Sequence, residues 1–137
     1  MTAAMQRADL DRFIARFFAA FDNRSGRVPT RTDLDAFFVK DAIILQHAGG
    51  KTATMTVASF AEPRVALLTS GRLVEFSEWE TANTTQDFGN FANRISQYEK
   101  SGMLDAKPYG GRGTKLFQLV HLDSEWRIVS LCWYDEA

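Results

Sequence analysis

The 137-residue chain contains one cysteine, Cys132, and two histidines. A single cysteine excludes an internal disulfide and a multi-cysteine zinc site, and we expect it to be a small buried thiol. The histidines show no paired spacing such as HExxH, whereas a zinc ion needs three or four converging ligands. The sequence therefore predicts no metal site.

A phosphate-binding motif is lacking as well. Residues 110–113, GGRG, resemble a phosphate loop superficially, but they precede a predicted strand. They also lack the helix start and the GKS or GKT ending that such loops use. We interpret this segment as a turn and predict no bound cofactor.

The chain also lacks a large excess of charge of either sign and any long apolar run. The net charge is -1 and Lys and Arg are scattered, whereas a nucleic-acid partner would need a basic stripe. No segment approaches the roughly 18 apolar residues of a membrane span, and residues 1–13 lack the pattern of a signal peptide. We expect no nucleic-acid or membrane partner, a cytoplasmic location and one domain over residues 1–137.

Aromatic residues, by contrast, are abundant: the chain has eleven Phe and three Trp. This is more aromatic surface than a core of this size needs. It fits either an aromatic-lined cavity or a subunit interface.

Three helices are predicted in the first half of the chain. The first starts at a capping Asp9 and presents an apolar stripe of Leu10, Phe13, Ile14, Phe17 and Phe21. The second starts with a capping-box-like segment at 32–35 and carries Leu34, Phe37 and Phe38. The third runs to about Ser70, with Gly71 as its stop.

The start of the third helix has two candidates. Ser59 is preferred because it places Pro63 in the first turn, where the missing amide has no intrahelical partner to lose. If Thr56 caps instead, Pro63 lies in the helix interior and should bend the helix.

From residue 72 onward the apolar period changes from helical to alternating, which predicts strands. They span 72–85, 91–101, 114–122 and 126–134, after one short strand at 42–45. Residues 87–90 and 123–125 are short enough for hairpin turns, whereas 101–111, with three glycines and a proline, predicts a longer link. Three helices followed mostly by antiparallel strands is an α+β order.

This element order and the closing hairpin, GTKLFQLVHLDSEWRIVSLCWYDE at 113–136, resemble an NTF2-like domain of the SnoaL-like kind. The resemblance implies an α+β cone, with three N-terminal helices packed on a strongly bent, mostly antiparallel sheet. It also implies a cavity on the concave side and a homodimer formed through the outer sheet face. The scaffold is shared by isomerases, dehydratases, hydrolases, cyclases and modules without chemistry, so it does not fix the activity.

The same resemblance points to one position for a general base. Enzymes such as ketosteroid isomerase place it on the strand after the second helix, and Gln46 stands there in this chain. An amide cannot take a proton at neutral pH, but it can orient a ligand. His47 is the next residue, and histidine is the side chain that ordinarily exchanges protons near neutral pH, so it is a catalytic candidate; a solvated loop histidine is the alternative.

Strand-borne charges supply further candidates. For Glu75, Glu78, Glu80, Arg94, Glu99 and Lys115 we expect cross-strand ion pairs on a solvated or dimer-facing surface. An acid that faced the cavity instead would have its pKa raised and could act as an acid or base, and Glu75 is the second weak catalytic candidate. His121 is expected on the surface of its strand.

Six residues are predicted to contact a ligand: Gln46, Trp79, Arg94, Tyr98, Gln118 and Trp133. Most combine an apolar body with a polar tip, which suits a pocket wall. Trp79 and Trp133 could equally be core or interface anchors. The strand register decides, because a one-residue slip exchanges every pocket residue for a surface residue.

Three functional hypotheses remain open. The leading one is a protein that binds an unidentified small organic ligand in an apolar pocket. The alternative is an isomerase- or dehydratase-type enzyme that uses a buried acid or His47, with Tyr98 or Gln46 as hydrogen-bond partner. The third is a dimerisation module whose cone is filled by side chains.

Overall fold

A computed structural model describes residues 2–136 of the chain. It contains three α-helices, α1 (Ala3–Ala19), α2 (Arg31–Asp35) and α3 (Val57–Thr69), and a short 3-10 turn at Arg24–Gly26. Six strands complete it: β1 (Phe38–Ala48), β2 (Lys51–Met55), β3 (Leu73–Asp87), β4 (Phe91–Leu104), β5 (Lys107–Leu122) and β6 (Glu125–Asp135). Within residues 2–136 no helix is long and apolar enough to cross a membrane.

The six strands form one open sheet in the order β2-β1-β6-β5-β4-β3. All neighbouring pairs are antiparallel except β1 and β6. The helices pack on one face of this sheet, so the predicted α+β architecture is confirmed.

Helix α1 packs its aromatic stripe against the sheet. The buried residues Leu10, Phe13, Ile14, Phe17 and Phe18 recur at the spacing of one helical face. Phe17 lies at the centre, with its ring 5.4 Å from that of Phe117 and 5.5 Å from that of Phe37, both edge-to-face. The helix starts seven residues earlier than predicted, because the Thr2 side chain, not Asp9, accepts the capping hydrogen bond.

Helix α2 is shorter than predicted, and the strand after it is longer. Thr30 caps α2, which ends at Asp35 and leaves Phe37 outside the helix. Phe38 begins β1 instead, opposite Ile128 of β6. Strand β2 was not predicted, because KTATM is exposed and shows no apolar alternation.

Helix α3 starts at the less favoured of the two predicted caps. Thr56 and Ser59 form a reciprocal capping box, so Val57 is the first helical residue. Pro63 therefore lies in the helix interior, where it cannot donate to the Ser59 carbonyl. Gly71 follows the helix with a φ of +83°, as the predicted stop requires.

The predicted link at 101–111 is wrong, and so is the turn at 110–113. Strands β4 and β5 continue through both segments and meet at a two-residue turn, Asp105-Ala106. The glycines mark close packing inside the sheet: a Cβ on Gly102 would lie 3.1 Å from the Val74 carbonyl oxygen. Glycine thus allows close backbone approach here and does not break the strand.

Candidate functional site

A partly open cavity of about 290 Å³ lies between α1, α3 and the concave face of the sheet. Its floor is apolar and includes Phe17, Phe21, Phe60, Leu68, Phe76 and Trp133. Its polar lining residues, the polar wall, are Gln46, Arg64, Glu78, Lys100, Tyr109, Lys115 and Asp135. An apolar chamber with a few convergent polar groups is typical of small-molecule sites.

A buried ion pair, Lys115 with Glu78, forms part of the polar wall. The ammonium of Lys115 lies 2.9 Å from the Glu78 carboxylate, and about a tenth of each side chain is exposed (9% and 10%). Lys115 also lies over the Tyr98 ring, with its Nζ 4.0 Å from the centroid. Burial lowers the pKa of Lys115, and the attraction of Glu78 only partly offsets that effect.

Tyr98, Asp135 and Lys100 form a second cluster beside the first. The Tyr98 hydroxyl donates to the Asp135 carboxylate, and Lys100 Nζ lies 3.2 Å from the same carboxylate. Burial raises the pKa of Tyr98, and the hydrogen bond to Asp135 raises it further. Burial acts to raise the pKa of Asp135, but Tyr98 and Lys100 outweigh it and the net shift is downward. Tyr98 is therefore a neutral donor and Asp135 a carboxylate at pH 7.

Arg64 of α3 is the third cation at the cavity. Its guanidinium lies over the rings of Phe60 (4.4 Å) and Trp133 (5.1 Å). It donates to the Phe60 carbonyl at 3.0 Å, but no carboxylate among residues 2–136 forms an ion pair with it. Burial lowers the pKa of Arg64, which nevertheless stays charged as guanidinium groups do in proteins.

In the sequence, only the alternation of the strands indicates that Lys115 and Asp135 face the cavity. Lys115 is in phase with Phe117 and Leu119, so it lies on the inward face of β5. Ion pairs were expected among the strand-borne charges without named partners, and Lys115 does pair with Glu78, but beside the cavity instead of on a solvated or dimer-facing surface. Asp135 shares the inward phase of Leu131 and Trp133 in the same way.

Of the six predicted ligand contacts, Gln46 and Trp133 line the cavity. Tyr98 is 1% exposed and lies behind the wall, joined to it through Lys115 and Asp135. The register places Gln46 and Trp133 side by side on β1 and β6.

The other predicted site residues lie elsewhere. Trp79 lines an open groove of about 780 Å³ between α1 and β3, outside the cone. Arg94, 3% exposed, pairs with Glu80 (2.6 Å) and with Asp11 of α1 (2.5 Å), and so ties the helix to the sheet. Burial acts to lower the pKa of Arg94, but its hydrogen bonds to Glu80 and Asp11 outweigh that effect and raise it.

The remaining candidates are on the surface. Glu75 is exposed at a bulge in β3, with a φ of +52°. His47 is exposed and hydrogen-bonded to Thr52, and Gln118 is exposed on the outer sheet face, where Ser130 donates to it.

Cys132 was expected to be a buried thiol and His121 a surface residue; both lie on or near the sheet surface. Cys132 is half-buried on the outer face, beside Leu45 and Leu116. His121 is half-buried, with its ring 5.0 Å from that of Trp126 at an open groove between α1, α2 and the β5–β6 turn. Across residues 2–136, no three His, Cys, Asp or Glu side chains are grouped as metal ligands would be.

The architecture is similar to several solved structures at low sequence identity. The Kfla4162 protein of Kribbella flavida matches with a TM-score of 0.80 and 14% identity, over 99% of this chain and 94% of that one. An NTF2-like superfamily protein of Salmonella enterica matches with a TM-score of 0.78 and 12% identity, over 99% and 94%. The chain has the NTF2-like fold.

A scytalone dehydratase-like protein of Novosphingobium aromaticivorans shares this NTF2-like fold, with a TM-score of 0.77 and 14% identity over 98% of this chain and 86% of that one. No protein-family model matches the sequence, and neither does any curated protein. At such identities the NTF2-like likeness establishes the fold alone, so function has to be argued from the cavity.

Proposed function

We propose that this NTF2-like chain binds a small organic ligand inside its cone. The observation that carries the proposal is the cavity of about 290 Å³, which is lined both by apolar side chains and by charged groups. A cavity of about 150 Å³ is enough for benzene, so this one has room for a ring with a short polar substituent. The apolar floor would supply most of the binding free energy.

The polar wall would fix the orientation of the ligand. Tyr98, Lys100 and Asp135 hold one another in place, as do Lys115 and Glu78, so the wall is organised before the ligand enters. Gln46 adds an amide that can both donate and accept. A module that serves only dimerisation would have no use for five charged side chains around an internal cavity.

An acid–base enzyme in the same cavity is the second candidate. Lys115 favours it, because a buried amine with a lowered pKa lies in hydrogen-bond contact with a carboxylate that could take or return its proton. The likeness to a scytalone dehydratase-like protein is compatible with this alternative.

The binding proposal is tested by releasing small molecules from protein purified directly from cells. We expect the wild type to release one compound in near-stoichiometric amount on denaturation, detected by mass spectrometry. Leu67→Trp, which fills the cavity from α3, should release none, whereas Leu122→Trp at the exposed end of β5 should behave as the wild type. If no compound is enriched over Leu67→Trp, the proposal is wrong.

The released compound also separates binding from catalysis. Added back to the wild type and followed by NMR, it should be converted if Lys115 and Glu78 transfer protons, and Lys115→Met should abolish that conversion. An unaltered spectrum supports binding alone.

We also propose that the outer sheet face pairs two copies of the chain. Register places Ile95, Leu116, Cys132 and Leu45 side by side across β4, β5, β6 and β1. Ile95 and Leu116 are 42% and 46% exposed, so the row is an apolar patch that dimerisation would bury. Leu116→Lys should convert a dimer into a monomer in sedimentation experiments, and Leu122→Lys should not. A monomeric wild type would contradict this proposal.

A further inference from the structure

The charges of the cavity wall do not cancel. Three cations, Arg64, Lys100 and Lys115, face two carboxylates, Glu78 and Asp135. Lys115 pairs with Glu78 and Lys100 pairs with Asp135, so each carboxylate already has a partner. The surplus positive charge at the cavity is therefore that of Arg64.

The setting of Arg64 suits an external anion. Its guanidinium lies over Phe60 and Trp133, and both rings also line the cavity. A guanidinium that lies over aromatic rings keeps the N–H groups at its edge free to bind an acceptor in its plane. One N–H donates to the Phe60 carbonyl, and its other N–H groups donate to no acceptor in the described part of the chain. A planar carboxylate matches this fork because it can accept two parallel hydrogen bonds.

We propose that the ligand of the cone is a small carboxylic acid with an aromatic or aliphatic body, and that Arg64 binds its carboxylate. This inference rests on the proposed ligand-binding function. The apolar floor contacts the body of the acid. The carboxylate pairs with Arg64 and neutralises the surplus positive charge of the polar wall. Because Lys100 and Lys115 already pair with Asp135 and Glu78, no further cation among the lining residues is left to bind a second negative charge on the ligand.

The test compares two probes of the same shape, 3-phenylpropanoate and its neutral amide, by isothermal titration calorimetry at pH 7. We expect the acid to bind the wild type about 10- to 100-fold more tightly than the amide, as a charge-assisted hydrogen-bond pair predicts. Arg64→Gln should remove that preference, because it should weaken the binding of the acid and leave the affinity for the amide unchanged. Arg72→Gln, at an exposed arginine paired with Asp105, is the matched control and should keep the preference.

Each outcome decides something. Equal affinity for acid and amide overturns the carboxylate inference but leaves ligand binding intact. If neither probe binds, the inference falls, and the release experiment above judges the binding function separately. If Arg64→Gln still prefers the acid to the amide, the role given to Arg64 is wrong, and Lys100 or Lys115 binds the carboxylate instead. If Arg64→Gln fails to fold by circular dichroism, the wild-type comparison and Arg64→Lys, which should retain only part of the preference, decide in its place.

Discussion

The hydroxyl of Tyr98 reaches the carboxylate of Asp135 across a strand that lies between them. Register places Gly113 of β5 directly opposite both residues, with Tyr98 on β4 and Asp135 on β6. Any Cβ at position 113 would lie 2.6 Å from the Tyr98 hydroxyl and would also overlap the Tyr134 carbonyl. The absence of a side chain at Gly113 is therefore what allows the cluster at the cavity wall to form.

Gly113→Ala should disrupt that cluster. We expect a loss of about 1–3 kcal/mol in the free energy of unfolding, as is usual when an atom is forced into a packed site. Thr114→Ala, at the next position of the same strand, should stay within about 0.5 kcal/mol of the wild type. Urea denaturation followed by circular dichroism measures both, and equal effects of the two substitutions would contradict the role given to Gly113.

Lys115 and Glu78 should depend on each other for stability. Lys115→Met leaves a carboxylate unpaired where only 10% of its side chain is exposed, and this should cost about 3–5 kcal/mol. Replacing both residues, as Lys115→Met with Glu78→Leu, should return the stability to within about 1 kcal/mol of the wild type. Lys107→Met, at an exposed lysine of the same strand, is the control. A double variant as unstable as the single one would show that the pair is not coupled.

Asp135 should stabilise the fold in a pH-dependent way. Its pKa in the folded chain is lowered, so its contribution is present above the unfolded value of about 3.9 and is lost as the pH falls through the folded value. The difference in stability between the wild type and Asp135→Asn should therefore shrink between pH 7 and pH 3. We expect about 1 kcal/mol at pH 7, a low value because a third of the side chain is exposed.

An exposed carboxylate provides the comparison for Asp135. The hydrogen bond from Arg72 lowers the pKa of Asp105, but this pair is open to solvent. The contribution of Asp105 should therefore vanish at high salt, whereas that of Asp135 should persist. Urea denaturation at several pH values and two salt concentrations distinguishes the two, and identical salt sensitivity would contradict the partly buried setting of Asp135.

The β4–β5 turn offers a stabilising substitution. Ala106 has a φ of +66°, in the left-handed region that is unfavourable for residues with a Cβ. Ala106→Gly should therefore raise the melting temperature and the free energy of unfolding by about 1 kcal/mol. Ala53→Gly, in the exposed strand β2, should instead lower the free energy of unfolding by about 0.5–1 kcal/mol. A loss of stability in Ala106→Gly would contradict the turn geometry.

Strong periodicity made most of the fold predictable. The stripe of α1 and the alternation of β3 to β6 identified the elements and their order. Prediction failed where local chemistry was ambiguous: Thr56 and Ser59 each suited a cap and formed a joint capping box. It also failed in GGRG, since glycine serves turns and close strand packing alike, and only the tertiary structure shows that Tyr98 occupies the space beside Gly113.

The candidate site was less predictable than the fold. Tyr98 and Trp133 could be proposed from their amphipathic side chains, and Gln46 from the family resemblance. Lys115 and Asp135 share the inward phase of their apolar neighbours, but charged strand residues are normally solvated, so they were not placed in the site. Arg64 was not predicted, because a lone arginine on a helix is normally solvated. Its position over Phe60 and Trp133 depends on how α3 crosses the sheet, and no local pattern encodes that.

The most direct test of the central claim is a crystal structure of the protein purified straight from the cell and never exposed to added ligands. We predict electron density for a small organic molecule inside the cone, with its body against the apolar floor and its polar end toward Arg64. A cone filled by its own side chains, or an open cavity that contains only water, would contradict the proposal that this chain binds such a ligand.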